Sequence, residues 1–472
     1  MSREDSGQTR RLRVELFSVD GRDPVRAVDG EELDAQTARL AAVLSGHGVG
    51  PGDRVLWSAR ATLESAVALL AVVRAGAVLV PLSPSAGAGE IAHVIGDARP
   101  VVAVTDRTEG AEAFGAMGAG STFTVDQLGH ESERAEPVAP PRISAADDAL
   151  IVYTSGTTGR PKGAVHTHAS LHAGVTSLIV PWGWEVDDRL VLCLPFFHVH
   201  GLCAGLFGTL AAGASAVVFD RFDEAAVLEA VPAGGTLFFG VPTMYHRLAE
   251  TGRAGILSGL RLCVSGSAPL AADLWHRLAG EGVEVLERYG MTETLLNLSN
   301  PLVGERRPGS VGHPLPGIEA GIDDPDDEGI GELFVRGASL CRGYWGHTEE
   351  FAPEAWFATG DLASVSDDGY VTIRGRRTEL IITGGHNVYP AEVEAVLSRL
   401  PGVREVAVVG RPSAEWGETV EAYVVGEPDL ATLSELAARE LAPYKRPRHV
   451  HLVEALPRNA LGKVVRNELR PG

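Results

Sequence analysis

Ile151-Val-Tyr-Thr-Ser-Gly-Thr-Thr-Gly-Arg-Pro-Lys-Gly163 is the stretch on which the fold turns. The apolar residues from Ala149 to Tyr153 have the length and composition of a strand. They run straight into a loop of threonine, serine and glycine. Glycine lets a backbone pass close to a ligand with no Cβ in between. A turn of free N–H groups and hydroxyls suits an oxyanion such as phosphate, and Lys162 adds a point charge. The Walker loop needs Gly-x4-Gly-Lys-Ser/Thr. Here Lys162 follows Gly159 by three residues and precedes Gly163, which disfavours P-loop NTPase chemistry.

Outward from this loop the chain alternates between two periodicities. On the N-terminal side, residues 1–30 read as a polar lead-in. Helices are predicted over 31–44, 62–76 and 90–97, with strands over 55–57, 77–81 and 101–105. Residues 107–146, rich in Gly, Glu and Pro, read as a weakly structured connection. On the C-terminal side, strands over 190–194, 214–219, 236–241, 260–264 and 283–287 alternate with helices over 201–212, 223–230, 243–250 and 271–280. Such alternation predicts an α/β fold with mostly parallel sheets covered by helices. From Gly317 shorter β segments with acidic turns predict a small β-rich part. Beyond Arg376 lies a smaller α+β segment. The expected division is a large N-terminal domain, 1–375, and a small mobile C-terminal domain, 376–472, hinged at Gly375-Arg376.

At 472 residues the chain exceeds one ordinary core. Its 41 basic and 62 acidic residues give a formal net charge of -21, which opposes non-specific nucleic-acid binding by the whole surface. The four cysteines form no CxxC pair and sit mostly in apolar surroundings, as expected of buried thiols in a reduced compartment. The apolar run from Ala66 to Leu82 is broken by Arg74 and ends at Pro81, so no membrane span is expected. The polar N-terminus lacks a signal-peptide core, and the cytoplasm is the expected compartment. A monomer or a homodimer is expected.

Ligands in open α/β sheets sit beyond the carboxyl ends of the strands. The chemistry-bearing residues cluster there. Phe197-His-Val-His-Gly201 follows a strand, and its two histidines at i and i+2 cannot share a helix face for a metal. Ser265-Gly-Ser-Ala-Pro269 also follows a strand. Glu287-Arg-Tyr-Gly-Met-Thr-Glu293 offers a flat ring at Tyr289, close backbone approach at Gly290, a hydroxyl at Thr292 and a carboxylate at Glu293. One or two carboxylates plus substrate phosphates are what Mg2+ takes.

These segments, with Thr359-Gly-Asp361, Gly375-Arg376 and Leu456-Pro-Arg-Asn-Ala-Leu-Gly-Lys463, resemble the acyl-adenylate-forming superfamily of acyl-CoA synthetases, adenylation domains and luciferases. The resemblance covers nearly the whole chain. It implies ATP, Mg2+ and coenzyme A as cofactors, and a carboxylic acid as substrate. By that resemblance Thr154, Ser155, Gly156, Thr157, Thr158, Gly159 and Lys162 hold the phosphates. Ser267, Ala268 and Pro269 lie along the adenine, with Tyr289 stacking on it and Gly290 beside it. Thr292 meets a phosphate oxygen, Glu293 the metal, and Asp361 with Arg376 the ribose. Lys463 serves adenylation, with Thr154 and His200 also in the catalytic set; an ammonium there offsets charge that builds up in transfer. Thr378 fills the hinge position where the family often has Asp or Lys.

The C-terminal segment is basic within an acidic chain, through Lys445, Arg446, Arg448, Arg458, Arg466 and Arg470. It reads either as a solvated face or as a seat for coenzyme A phosphates at Lys445 and Arg446, with Gly384 and Gly385 letting the pantetheine pass. By the same resemblance His200 contacts the acid, and Arg288 and Met291 are the other expected substrate contacts. A guanidinium at Arg288 would pair bidentately with a second carboxylate. A fatty or aromatic acid would leave it buried and unpaired, which costs several kcal/mol. Arg288 paired with a protein carboxylate is the plain alternative. The surroundings, including Leu194-Pro-Phe-Phe-His-Val-His-Gly201, Phe239-Gly-Val-Pro-Thr-Met-Tyr-His246 and Gly384-Gly-His-Asn-Val-Tyr-Pro390, resemble malonyl-CoA synthetases. Malonate or a small 2-substituted malonate is therefore expected, with another acid (aromatic or medium-chain) or another acceptor as the alternative. A nucleotide-binding protein without catalysis is the rival from another class.

Overall fold

The computed structural model describes residues 16–18, 26–154, 161–348, 351–352, 354–458 and 464–469. Among these the strands form four sheets, of nine, seven, four and five strands. In the largest sheet six consecutive strands run parallel: Val285–Tyr289, Leu262–Ser265, Leu237–Gly240, Arg189–Leu192, Ser215–Val218 and Leu16–Ser18. Antiparallel strands close both of its edges. The seven-stranded sheet has Val78–Pro81, Arg54–Ser58, Val102–Thr105 and Ser121–Thr124 in parallel beside Asp148–Thr154.

Parallel strands need crossovers, and helices with deliberate starts supply them. Thr62 accepts from the Ser65 N–H at 3.1 Å to open the helix Leu63–Arg74, and Asp29 accepts from Glu32 to open Gly30–Gly46. These helices bury an apolar core with both large sheets, around Trp57, Leu69, Trp182, Leu190 and Phe239. The α/β expectation and its alternation hold, with element ends displaced by at most two residues.

Two readings are corrected. Residues 107–146 are not a loose connection. They contain the helix Thr108–Ala116, the strand Ser121–Thr124 and the helix Val125–Ser132. Thr124 and Gln127 form a reciprocal capping box, a signal present in the sequence but outweighed there by glycine content. The lead-in also contributes strands, Leu16–Ser18 and Arg26–Val28, to the edge of the large sheet.

The stretch after Tyr153 does not lead into a helix. Lys162–Thr167 returns antiparallel along Asp148–Thr154, with Thr154 opposite Lys162. The Ser/Thr/Gly loop therefore joins two hydrogen-bonded strands. Gly343–Tyr344 adds a short strand on the far side of Lys162–Thr167.

A four-stranded antiparallel sheet, from Ile318–Asp323 to Val371–Arg376, forms the β-rich part. The turn Arg377–Glu379 follows it, and the remaining sheet is built wholly from Ile381 onward, packed against the helices Pro390–Leu397 and Leu430–Glu440. This last unit touches the β-rich part at defined points. Tyr389 donates to Asp326 at 2.7 Å, and Lys445 approaches Glu328 at 3.6 Å. No helix among the described residues is long and apolar enough to cross a membrane.

Candidate active site

The carboxyl ends of Arg189–Leu192, Leu237–Gly240, Leu262–Ser265 and Val285–Tyr289 enclose a group of buried polar side chains. His200 opens a π-helical turn, His200–Phe207, which is tight against the preceding loop because a Cβ at Gly201 would overlap the Pro195 carbonyl. Its ring lies nearly parallel to Phe239, with centroids 6.3 Å apart. His200 is 2% exposed, and neither ring nitrogen has a hydrogen-bond partner in the protein. Burial holds the imidazole neutral, reinforced by the nearby Arg288 charge.

Arg288 is 5% exposed, and its Nε and Nη2 likewise meet no partner. Burial lowers its pKa to about 9. Gly266 makes room for it, since a Cβ there would overlap the guanidinium. The Ser265 hydroxyl, on the neighbouring strand, is buried and unpartnered too. Buried polar groups normally find partners. Three orphaned ones at one sheet edge mark a place where a polar ligand completes the set. Met291 is half-buried beside this group, its sulfur 4.0 Å from the Tyr289 hydroxyl.

The residues that follow Ser265 and Arg288 adjoin this group. Ser267 adopts a left-handed backbone, φ 72°, and Ala268 and Pro269 are exposed after it. The buried Glu287 carboxylate holds this loop by accepting from Leu270 N, and from Gly309 N at 2.8 Å on the other side. Burial pushes the Glu287 pKa up to about 7. Gly290 has no room for a Cβ, which would strike the Leu295 carbonyl. Tyr289 donates to Asp361 at 2.5 Å, and Arg376 Nε lies 2.7 Å from the other Asp361 oxygen. Tyr289, Asp361 and Arg376, read from three separate motifs, thus meet in one chain of contacts.

The paired strands Asp148–Thr154 and Lys162–Thr167 bring a further set of residues together. Thr154 and Lys162 face each other at their end, while Ser155, Gly156, Thr157, Thr158 and Gly159 lie outside the described residues. Lys162 Nζ sits 5.3 Å from the Tyr344 ring centroid, and the Tyr344 hydroxyl donates to Glu293 at 3.0 Å. Glu293 is buried, and that burial raises its pKa. Asp361, also buried, adds its charge to the same effect, and a buried carboxylate of this kind fits an ion held mostly by substrate phosphates and water. The Thr292 carbonyl, in the peptide that leads to Glu293, accepts from the buried His166. Burial keeps His166 neutral, with a pKa near 4. Ser265 and Gly266 lie in a segment read from sequence as lying along the adenine, whereas Tyr344 and His166 were not singled out. The last two stand alone in their segments, and only the fold brings them to Thr292 and Glu293.

The C-terminal residues are arranged differently from the expectation of free surface charge. Lys445 is buried, with Nζ 2.9 Å from both oxygens of Glu392. Arg446 donates to the carbonyls of Leu441 and Ala438. Arg458 pairs with Glu405, and Arg466 with Glu379 and Glu394. The carboxylates that neutralise this basic run come from elsewhere in the chain, so they were invisible to local charge counting. Gly384 and Gly385 both have positive φ, 58° and 80°, and Gly384 packs on Trp416. Arg448 lies over the Trp416 ring at 4.3 Å. Lys463 and Arg470 lie outside the described residues.

Residues 10–345 match the AMP-binding enzyme family, and residues 392–463 match the AMP-binding enzyme C-terminal domain. The chain is 36% identical to a feruloyl-CoA synthase of an Amycolatopsis species, over 98% of both chains. It is 35% identical to a malonate–CoA ligase of Arabidopsis thaliana, over 90% of this chain and 79% of that one. Among solved structures, ATP-bound MatB from Rhodopseudomonas palustris superposes with a TM-score of 0.91 at 38% identity, covering 98% of this chain and 96% of that one.

Proposed function

Given that the chain belongs to the AMP-binding enzyme family and is an AMP-forming acid–CoA ligase, we propose that its acid is malonate or a small 2-substituted malonate. The observation that carries this reading is the partnerless, buried guanidinium of Arg288 beside neutral His200. A second carboxylate completes its hydrogen bonds bidentately. The Ser265 hydroxyl offers a further donor at the same place.

In this reading ATP lies across the edge of the large sheet. Tyr289 and the Ser267–Pro269 loop take the purine, and Asp361 with Arg376 takes the ribose. Thr154, Lys162 and the intervening loop take the phosphates. Glu293, with Thr292 beside it, would hold Mg2+, which when bound neutralises phosphate charge and orients the leaving pyrophosphate. Arg288 holds the distal carboxylate, which leaves the proximal one free to attack the α-phosphorus. The P–O bond to pyrophosphate breaks as the acyl–O–P bond forms. Lys463 supplies the ammonium that offsets the charge on the attacked phosphate. The thiol of coenzyme A then attacks the acyl carbon, AMP departs, and the thiol proton goes to solvent.

The domain boundary at Gly375-Arg376 belongs to the same proposal. Gly375 has a φ of 143°, and the turn Arg377–Glu379 places Thr378 between the two units. For coenzyme A, Gly384 and Gly385 remain the proposed path of the pantetheine. Lys445 and Arg446 reach its phosphates only by leaving their present partners. On the N-terminal side a groove of about 410 Å3, lined by Arg60, Arg107 and Phe197 among others, opens beside the substrate loop and offers the thiol an approach. Cytoplasmic residence fits the four buried, unpaired thiols.

Likeness to a feruloyl-CoA synthase supports a second reading, a hydroxycinnamate. That acid has one carboxylate and would leave Arg288 unpaired. ATP–pyrophosphate exchange across malonate, methylmalonate, isovalerate and ferulate separates the two. Highest kcat/KM for malonate or methylmalonate is expected; preference for ferulate or isovalerate would refute the diacid reading.

A further inference from the structure

The strand Lys162–Thr167 does more than end the phosphate loop. Lys162 stands at one end of it. Ala164 and Val165 pair with Tyr344 and Gly343, and the Arg342 N–H donates to the Val165 carbonyl at 2.9 Å. His166 follows, fully buried, with Nε2 2.8 Å from the Thr292 carbonyl and Nδ1 3.3 Å from Ser170 Oγ. A carbonyl only accepts, so the imidazole proton sits on Nε2 and the Nδ1 lone pair faces the serine hydroxyl.

The Thr292 carbonyl belongs to the peptide that carries Glu293. Three contacts fix this peptide and its side chain: His166 to the Thr292 carbonyl, the Cys341 N–H to the Glu293 carbonyl at 2.7 Å, and the Tyr344 hydroxyl to the Glu293 carboxylate. Two of them come from a segment paired to the strand, and the third comes from the strand itself. We propose that His166 is a positioning residue, whose Nε2–H sets Thr292 and Glu293 at a fixed spacing from Lys162 so that the metal and the triphosphate are bound together. The inference rests on the assignment of Glu293, Thr292 and Lys162 to metal and phosphate given above.

Glutamine presents its amide N–H where the Nε2–H of histidine stands, asparagine falls short of it, and leucine removes it. Calorimetry on the full chain measures ATP affinity with Mg2+ and with EDTA, without acid, and thermal melting reports the fold. For His166→Leu and His166→Asn the gain in ATP affinity from Mg2+ should shrink about tenfold, which corresponds to ~1.4 kcal/mol. The KM for malonate should stay within about twofold, and His166→Gln should recover most of the gain, on the scale of one buried hydrogen bond. If His166→Leu does not fold, the contrast between Gln and Asn decides. Lower melting temperature with an intact Mg2+-linked gain would reduce His166 to a packing role and overturn the inference. Glu293→Gln is the control for the underlying assignment. If it too leaves the gain intact, the metal assignment falls and the inference with it. If it abolishes the gain while the His166 variants keep it, the inference alone fails.

Discussion

Replacing Arg288 by leucine removes the guanidinium while filling much of its volume. In the folded chain its Nε and Nη2 have no protein partner, and burial has already pulled its pKa from 12.5 to about 9. The free enzyme thus bears a charge cost on the order of a few kcal/mol that only a bound anion offsets. Truncating one side of a buried, hydrogen-bonded charge pair costs ~2–5 kcal/mol, which corresponds to roughly 30- to 4,000-fold in kcat/KM. Isovalerate has the shape of malonate, with an isopropyl group in place of the distal carboxylate. It should react at least as well with Arg288→Leu as with the unsubstituted enzyme. Pyrophosphate exchange with both acids measures the two factors, and melting without ligand measures the third effect, an expected rise in Tm. Equal losses on malonate and isovalerate, or a fall in Tm of the ligand-free protein, would refute the diacid argument.

Gly266→Ala attacks the same contact from the other side: its Cβ overlaps the Arg288 guanidinium, so exchange with malonate should fall at least about tenfold. Isovalerate exchange should fall less. Lys463→Ala should abolish exchange while leaving the circular dichroism spectrum unchanged; retained exchange contradicts its role. Glu287 gives a pH signature. Its carboxyl binds a proton more tightly folded, at about 7, than its ordinary 4.5, so its contribution is present at low pH and lost as pH rises through 7. Between about pH 5 and about pH 8 the protein should lose up to ~3 kcal/mol relative to Glu287→Gln, read from Tm or urea unfolding. Parallel pH profiles for the two proteins would contradict this. Tyr389→Phe removes a hydrogen bond to Asp326 between the C-terminal unit and the β-rich part, worth ~1–2 kcal/mol. Proteolysis near residues 377–380 should accelerate about tenfold.

What was legible from sequence follows from the range of the interaction. The parallel strands and their helices are written in local periodicity, and they were read to within a few residues. Tyr289, Asp361 and Arg376 could be named because each lies in a motif with fixed neighbours, and the fold then joined them. Lys445 could not be read locally, since Glu392 lies 53 residues away and Glu328 farther still. His166 and Tyr344 are single residues in unremarkable segments, and only strand pairing brings them to Thr292 and Glu293. Residues 107–146 failed for a different reason: glycine-rich composition masked a capping box that was present all along.

All four cysteines are buried and unpaired, and burial drives the thiol pKa of Cys193, Cys263 and Cys341 up to about 12 and that of Cys203 higher still. Because the thiolate is the species that reacts, the native chain is a silent background for maleimide chemistry. A dye pair can be installed through two new surface cysteines, one on each side of the turn at 377–379, without first stripping the protein of its own. Single-molecule energy transfer would then show whether the C-terminal unit moves during turnover in an otherwise unaltered enzyme.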